Sequence, residues 1–127
     1  MIHHELYTSG GIDFDKLTLK AGANGQIYNT GISNYTVIEK GMYVIFLTGI
    51  TMGGNYSNIY PTLSVNKNGT AVENAFLLYN TEAYSGSGTI VSAKITAIVA
   101  LVDASAGDVI SMNQQGRWAS YQIYYQN

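Results

Sequence analysis

Apolar and polar residues alternate with a period of two along much of the chain, which is the spacing of a β-strand. The alternation is clearest between positions 89 and 102, where one face is apolar throughout. The residues of that face are Val91, Ala93, Ile95, Ala97, Val99 and Leu101. An α-helix would scatter these side chains around its circumference. The pattern therefore predicts one long strand here.

A second run, between positions 42 and 50, is apolar on both of its faces. One face carries Met42, Val44, Phe46 and Ile50, and the other carries Tyr43, Ile45 and Leu47. A strand of a single β-sandwich buries one face against the opposite sheet and leaves the other in solvent. The second face of this strand therefore requires a further covering surface.

Turn residues separate the apolar runs. The sequence Asn66-Lys67-Asn68-Gly69 favours a tight hairpin, because Asn and Gly tolerate the positive φ angles of its turn. Predicted strands cover residues 12–19, 26–30, 34–38, 42–50, 61–66, 70–79, 89–102, 108–113 and 118–125. Many short strands between Gly-containing turns are typical of an all-β sandwich or jelly roll, here with about ten antiparallel strands.

The length of the chain fits one domain. Its 127 residues suffice for one core, and we divide them into an N-terminal arm, residues 1–11, and a jelly-roll domain, residues 12–127. Charged residues make up only 11% of the chain, whereas an ordinary soluble domain has about 25%. The surface must therefore depend on uncharged polar groups, and the chain has 11 Tyr with many Thr, Ser and Asn.

The same counts exclude several classes of protein. A disulfide scaffold needs Cys, of which the chain has none, and two His without a thiol do not suit a classical zinc site. The six basic residues are scattered, so we predict no nucleic-acid binding. No uninterrupted apolar run has the length of a bilayer span, so we predict no membrane insertion. The first residues also lack the pattern of a signal peptide.

Five motifs in order resemble the globular head of complement C-one-q, a branch of the tumour necrosis factor-like jelly rolls. They are Phe14-Asp15-Lys16 followed by Tyr28 and Gly31, Gly41-Met42-Tyr43-Val44-Ile45-Phe46, Lys67-Asn68-Gly69, Gly107-Asp108-Val109, and Ser120-Tyr121-Gln122-Ile123-Tyr124-Tyr125. The resemblance covers residues 12 to 125 and points to a bacterial or bacteriophage member of the family.

The resemblance implies a compact homotrimer whose subunits pack through broad, aromatic-rich sheet faces. A neighbouring subunit would then cover the second apolar face of the strand at 42–50. The side chains expected at this interface are Tyr43, Ile45, Leu47, Tyr121, Ile123 and Tyr125. Tyrosine is favoured at such interfaces because it is amphipathic.

Few residues suit catalysis, and we predict no catalytic residue, no cofactor and no resident metal. His3 and His4, with Glu5, could gather around a trimer axis and bind a transition metal, as a less favoured alternative. Asp13 and Asp15 lie two residues apart on a predicted strand, as the carboxylate pair of a small glycosidase would, but a structural role is favoured.

Two further features have a structural and a functional interpretation. Asp103 and Asp108 flank a turn, where they could bind calcium, although capping of the turn is favoured. The Asn-x-Ser/Thr triplets at Asn34, Asn55 and Asn68 match the acceptor sequence for N-glycosylation. About two such triplets are expected by chance at this composition, so we interpret them as incidental.

The sequence favours ligand binding over catalysis. The segment 52–60 interleaves Tyr, Asn, Ser and Gly, the mixture that offers a sugar aromatic rings and adaptable hydrogen bonds. The candidate ligand-binding residues are Asn55, Tyr56, Asn58 and Tyr60, with Tyr84 from a similar segment. Gly-rich loops of jelly rolls have this composition without any ligand, so both interpretations stay open.

The sequence therefore predicts a non-enzymatic homotrimer that serves as a structural or binding module. We expect a virion surface protein, such as a phage fibre tip, a receptor-binding head or a capsid decoration protein, that contacts host-surface glycans or other virion proteins. It would reach the virion surface or the extracellular space without a signal peptide. The alternatives are a lectin or adhesion domain of a bacterial cell surface and, less favoured, a small glycosidase.

Overall fold

The computed structural model describes residues 12–52, 59–85 and 91–127, without the side chains at positions 20–22, 52, 84, 85, 91 and 92. The predicted N-terminal arm, residues 1–11, lies outside the described residues. One turn of 3₁₀ helix, Phe14–Lys16, precedes nine strands in this part of the chain. They are β1 (Leu17–Tyr28), β2 (Gly31–Thr36), β3 (Gly41–Met52), β4 (Thr62–Lys67), β5 (Thr70–Ala71), β6 (Ala75–Ser85), β7 (Val91–Ala104), β8 (Val109–Gln115) and β9 (Trp118–Gln126).

The strands form two antiparallel sheets that pack face to face. The five-stranded sheet has the order β1-β9-β3-β7-β6, and the four-stranded sheet has the order β2-β8-β4-β5. Across the sandwich β2 approaches β1, β8 approaches β9, and β4 lies against β3 and β7. The prediction of an all-β sandwich is confirmed.

The main core lies between the sheets and contains the residues that the sequence placed at a trimer interface. Those residues are Tyr43, Ile45, Leu47, Tyr121, Ile123 and Tyr125. The first three and Ile123 are 0% exposed and Tyr121 is 9% exposed, while the Tyr125 ring packs edge-on against Tyr43 at 5.3 Å. The second sheet of the same chain already covers Tyr43, Ile45, Leu47, Tyr121 and Ile123, which corrects their predicted interface role. Tyr125 is only partly buried, and its interface role stays a prediction.

The opposite face of β3 is covered by the segment that leads into β1. Ile12 is 1% exposed and forms a second cluster with Val44, Val99 and Leu101, which are 0%, 1% and 8% exposed. Phe14 adds a ring contact with Phe46 at 6.4 Å. The two apolar faces of β3 are thus explained within one chain, by the second sheet on one side and by the chain's own N-terminal segment on the other.

Three predicted strands differ from the observed ones, and those predicted at 12–19 and 26–30 both fall in the single strand β1. The strand predicted at 12–19 begins only at Leu17, because Asp13 caps a 3₁₀ turn by accepting the Asp15 N–H at 3.1 Å. The strand predicted at 70–79 is interrupted at positions 72–74, where the chain passes from one sheet to the other. The hairpin predicted before it is confirmed, with φ of 51° at Asn68 and 83° at Gly69.

Strand β6 forms an edge of the five-stranded sheet. Every side chain from position 75 to 83 is exposed, so the second sheet does not cover this strand. We call β6 the overhang. The strand pairs with β7 along its length, with a register shift between Leu77 and Tyr79. Residues paired across two antiparallel strands lie on the same face, so the register assigns each overhang residue to a face.

Candidate functional site

The predicted ligand-binding residues are only partly described. Tyr60 lies just before β4 and is 38% exposed. Tyr84 belongs to β6 and pairs with Ser92, but its side chain is outside the described part of the chain. Asn55, Tyr56 and Asn58 also lie outside the described residues. Tyr60 is therefore the one predicted ligand residue whose surroundings can be given.

The Tyr60 ring lies over an ion pair of the overhang. Lys94 on β7 donates to the Glu82 carboxylate on β6, and the two residues are direct cross-strand partners. The Lys94 Nζ atom also lies 5.0 Å from the centre of the Tyr60 ring, within the range of a cation–π contact. The Lys94 side chain is only 14% exposed, against 34% for Glu82. The ring and the carboxylate together hold the ammonium group in one place.

Two register positions further along, and therefore on the same face, a hydrogen bond joins the same two strands. The Thr96 hydroxyl donates to the Asn80 side-chain oxygen at 2.7 Å. Thr96 is 7% exposed, whereas Asn80 is exposed. Among the described residues no partner accepts from the Asn80 amide nitrogen. We call this group the inner polar surface: Tyr60, Asn80, Glu82, Lys94 and Thr96.

The backbone beside Tyr60 is fixed by β3. The Thr51 hydroxyl, on a residue that is 0% exposed, donates to the Ile59 carbonyl oxygen at 2.5 Å. On the other side of Tyr60, Pro61 is buried, and a Cβ atom built at Gly116 would lie 3.0 Å from the Pro61 Cβ atom. Pro61 therefore packs closely against Gly116, where a side chain would have little room, and the backbone is packed on both sides of Tyr60.

The other face of the overhang is apolar. Phe76 and Tyr79 are 37% and 47% exposed, and they pair with Val99 and Ala97 of β7. On the far side of β7, Phe46 of β3 also pairs with Val99, so one face runs across three strands. We call this group the outer apolar patch: Phe46, Phe76, Tyr79, Ala97 and Val99. At these positions the two faces of one hairpin differ in chemistry, while Leu77, on the inner face, is an apolar side chain that is 56% exposed.

The turns at one end of the sandwich are joined by Asp108. Its carboxylate accepts the Ser105 backbone N–H at 2.8 Å and the Asn68 side-chain N–H at 3.0 Å. These hydrogen bonds lower the pKa of Asp108 below its ordinary value, and the one from the Ser105 backbone has the larger effect. Asn68 also accepts the Val109 N–H at 2.9 Å. The favoured interpretation of Asp108 as a turn-capping residue is confirmed.

The remaining acidic candidates lie apart from any shared site. Asp13 caps the 3₁₀ turn and lies 3.7 Å from Lys16, so the prediction that Asp13 and Asp15 share one strand face is wrong. In the described ranges no three side chains of His, Asp or Glu come together as a metal site requires. His3, His4 and Glu5 lie outside those ranges.

A shallow cleft of about 310 Å³ lies where the chain leaves β5. Its Lys67 ammonium group donates to the Asp103 carbonyl oxygen at 2.9 Å. Thr70, Ala71 and Glu73, which also line it, are exposed, so the cleft is open to solvent along this side. It offers less fixed geometry than the inner polar surface.

The sequence analysis missed four of the five residues of the inner polar surface. The signal was present, because Asn80 and Glu82 are two residues apart, as are Lys94 and Thr96 in the next predicted strand. Two such polar pairs on either side of the Gly-rich segment at 86–88 indicate a hairpin with one polar face. Tyr60 joins them only through the tertiary fold.

Comparison of the chain with models of protein families, with curated proteins and with solved structures finds no match. The helical turn Phe14–Lys16 is three residues long, and no other helix occurs in the described ranges, so none there could span a bilayer. Function is therefore inferred from the chain's own geometry.

Proposed function

We propose that the protein is a non-enzymatic, self-associating module with jelly-roll topology, and that it forms a homotrimer. The observation that carries this proposal is the outer apolar patch, where the two large aromatic side chains Phe76 and Tyr79 stay exposed on one sheet face beside the buried Ala97 and Val99. Exposed apolar side chains grouped on one face are typical of protein interfaces. The low charge of the chain, 11%, agrees with a surface that packs against copies of itself.

The strand order supports the jelly-roll topology. A jelly roll places eight strands in two four-stranded sheets and has two Greek keys. The orders β1-β9-β3-β7 and β2-β8-β4-β5 have this arrangement, with successive strands β1 to β4 alternating between the sheets. Strand β6 is then an addition at the edge next to β7. This addition carries four large apolar side chains that are exposed, Phe76, Leu77, Leu78 and Tyr79, so the extra strand and the proposed contact surface coincide.

The trimer is supported by the resemblance, and the register of the overhang favours one way in which the copies would meet. A ring of three forms when each copy presents one surface to a different surface of its neighbour. The register shift between Leu77 and Tyr79 marks a bulge in the overhang, and a bulge discourages edge-to-edge pairing of strands. We therefore propose contact through side chains of the sheet face rather than a continuous intermolecular sheet.

The setting we propose is the surface of a virion, as a fibre tip, receptor-binding head or capsid decoration protein that contacts host-surface glycans. The alternative is a lectin or adhesion domain of a bacterial cell surface. Genes for capsid or tail proteins beside the coding sequence would favour the virion, and a longer reading frame with an anchor would favour the alternative. A glycosidase is disfavoured, since Asp13 serves as a cap of the 3₁₀ turn.

Light scattering after size-exclusion chromatography tests self-association. At tens of micromolar the protein is expected to have about three times the chain mass of 13.7 kDa. Tyr79→Glu places a charge in the outer apolar patch and is expected to give the mass of one chain. Ile38→Glu, at a side chain 81% exposed and outside the patch, is the matched control and should leave the mass unchanged. A monomeric wild-type protein would overturn the proposal.

A further inference from the structure

We propose that the inner polar surface binds a neutral saccharide, with the Tyr60 ring as its apolar platform and Asn80, Glu82 and Lys94 as its hydrogen-bonding groups. This inference rests on the binding role proposed above and gives it a site and a ligand class. It does not depend on self-association, because its residues lie on the opposite face of the overhang from the outer apolar patch.

The first argument is the combination of ring and polar groups. A sugar presents C–H groups on one face and hydroxyl groups around its edge, so it needs an aromatic face together with donors and acceptors. Tyr60 is 38% exposed, and Lys94 lies over one face of its ring. Asn80 offers two N–H donors, since its oxygen is taken by Thr96.

The second argument concerns charge. The ammonium group of Lys94 is paired with the Glu82 carboxylate, so the surface has no net charge to attract an ion. A charged ligand that replaced one partner of this pair would leave the other uncompensated at a partly buried position. A sugar hydroxyl both donates and accepts, so it can bridge the ammonium group and the carboxylate without separating them.

The third argument is that the groups are held in place before binding. Thr96 fixes the Asn80 side chain, Glu82 and the Tyr60 ring fix Lys94, and the Thr51 hydroxyl fixes the backbone at Ile59. A ligand then binds without the cost of ordering several long side chains, which is about 0.5–1.5 kcal/mol for each. Fixed polar groups beside an exposed ring are what weakly binding, uncharged ligands require.

The test is a glycan array followed by titration in solution. The wild-type protein is screened on an array of neutral and sialylated oligosaccharides, and the free oligosaccharide with the strongest signal is titrated by calorimetry. Free oligosaccharide is monovalent, so the affinity does not depend on the number of subunits, and a wrong trimer proposal would not affect it. We expect binding of a neutral oligosaccharide, with at least tenfold weaker affinity for both Tyr60→Ala and Asn80→Ala.

The matched control is Tyr28→Ala, because Tyr28 is 67% exposed on β1, at the opposite edge of the same sheet. Its affinity should equal that of the wild type. Asn80 is exposed, so its variant tests the site even if Tyr60→Ala fails to fold. Absence of binding to any neutral oligosaccharide, binding of sialylated ones alone, or unchanged affinity of Asn80→Ala would overturn the inference.

Discussion

The overhang and the covered part of the five-stranded sheet are built from the same kind of strand, yet their side chains have different surroundings. Leu47 on β3 is 0% exposed beneath the second sheet, whereas Leu77 on β6 is 56% exposed. Both residues lie on the inner face of the sheet, as their pairing with Ile98 indicates. The difference is that the second sheet reaches β3 and does not cover β6.

This comparison separates stability from binding within one sheet. Where the second sheet lies above the strands, an apolar side chain is removed from water and stabilises the fold. Where it does not, side chains keep their exposed area and can contact another molecule. The overhang therefore contributes exposed side chains to both proposed functional surfaces, the outer apolar patch on one face and the inner polar surface on the other.

The largest expected effect is on the free energy of unfolding of Leu47→Ala. Removing a fully buried leucine side chain should lower it by about 3 kcal/mol, because apolar contacts are lost and a cavity remains. The same substitution at Leu77 should change it by about 0.5 kcal/mol, as at other surface sites. Urea denaturation followed by tryptophan fluorescence measures both values. Equal losses in the two variants would contradict the division between covered sheet and overhang.

The next effect concerns the outer face of the covered region. Ile12→Ala should lower the free energy of unfolding by about 2 kcal/mol, because Ile12 fills the cluster with Val44 and Val99. Ile38→Ala, at a side chain 81% exposed, is the control and should have little effect. If the two substitutions were equally mild, the N-terminal segment would not be the cover of this face.

The smallest effect concerns the polar contact between turns, at the surface of the covered region. The lowered pKa of Asp108 means that its ionised form stabilises the fold at neutral pH. This contribution is lost as the pH falls through the folded-state pKa, when the carboxylate is protonated. Asp108→Asn should therefore be less stable than the wild type at pH 7, and the difference should shrink toward pH 3.

Urea denaturation at several pH values between 7 and 3 measures this trend. Asn68→Ala removes one of the two hydrogen bonds to the Asp108 carboxylate. The free energy of unfolding of this variant should therefore fall less on acidification than that of the wild type. A difference between Asp108→Asn and the wild type that grows on acidification would show that the carboxylate destabilises the folded protein.

Much of the fold could be predicted from the sequence, and less of the candidate site. The alternation at 91–101 and the Asn68-Gly69 turn are local patterns, and both gave correct elements. The 3₁₀ turn at 14–16 was missed because a capping aspartate competes with strand formation over a few residues. Most of the interface residues were assigned wrongly because a strand with two apolar faces does not indicate which molecule covers each face.

The candidate site contains one residue that the sequence predicted and others that only the tertiary structure revealed. Tyr60 was predicted from the composition of its segment, and its exposure agrees with a binding role that remains to be tested. Lys94 and Glu82 were not predicted, although they are cross-strand partners on a hairpin. Their position beneath the Tyr60 ring depends on the end of β4 lying against β7, which is a contact between sheets.

The sequence by itself determined where most strands lie and where the chain turns, because alternation and backbone preference act over a few neighbouring residues. Only the tertiary structure decided that Tyr43, Ile45 and Leu47 face the second sheet, that Ile12 covers Val44, and that β6 extends past the sandwich. The physical reason is that the alternation of apolar and polar residues distinguishes the two faces of a strand but does not determine which element packs against each face. Burial depends on which element lies above each face.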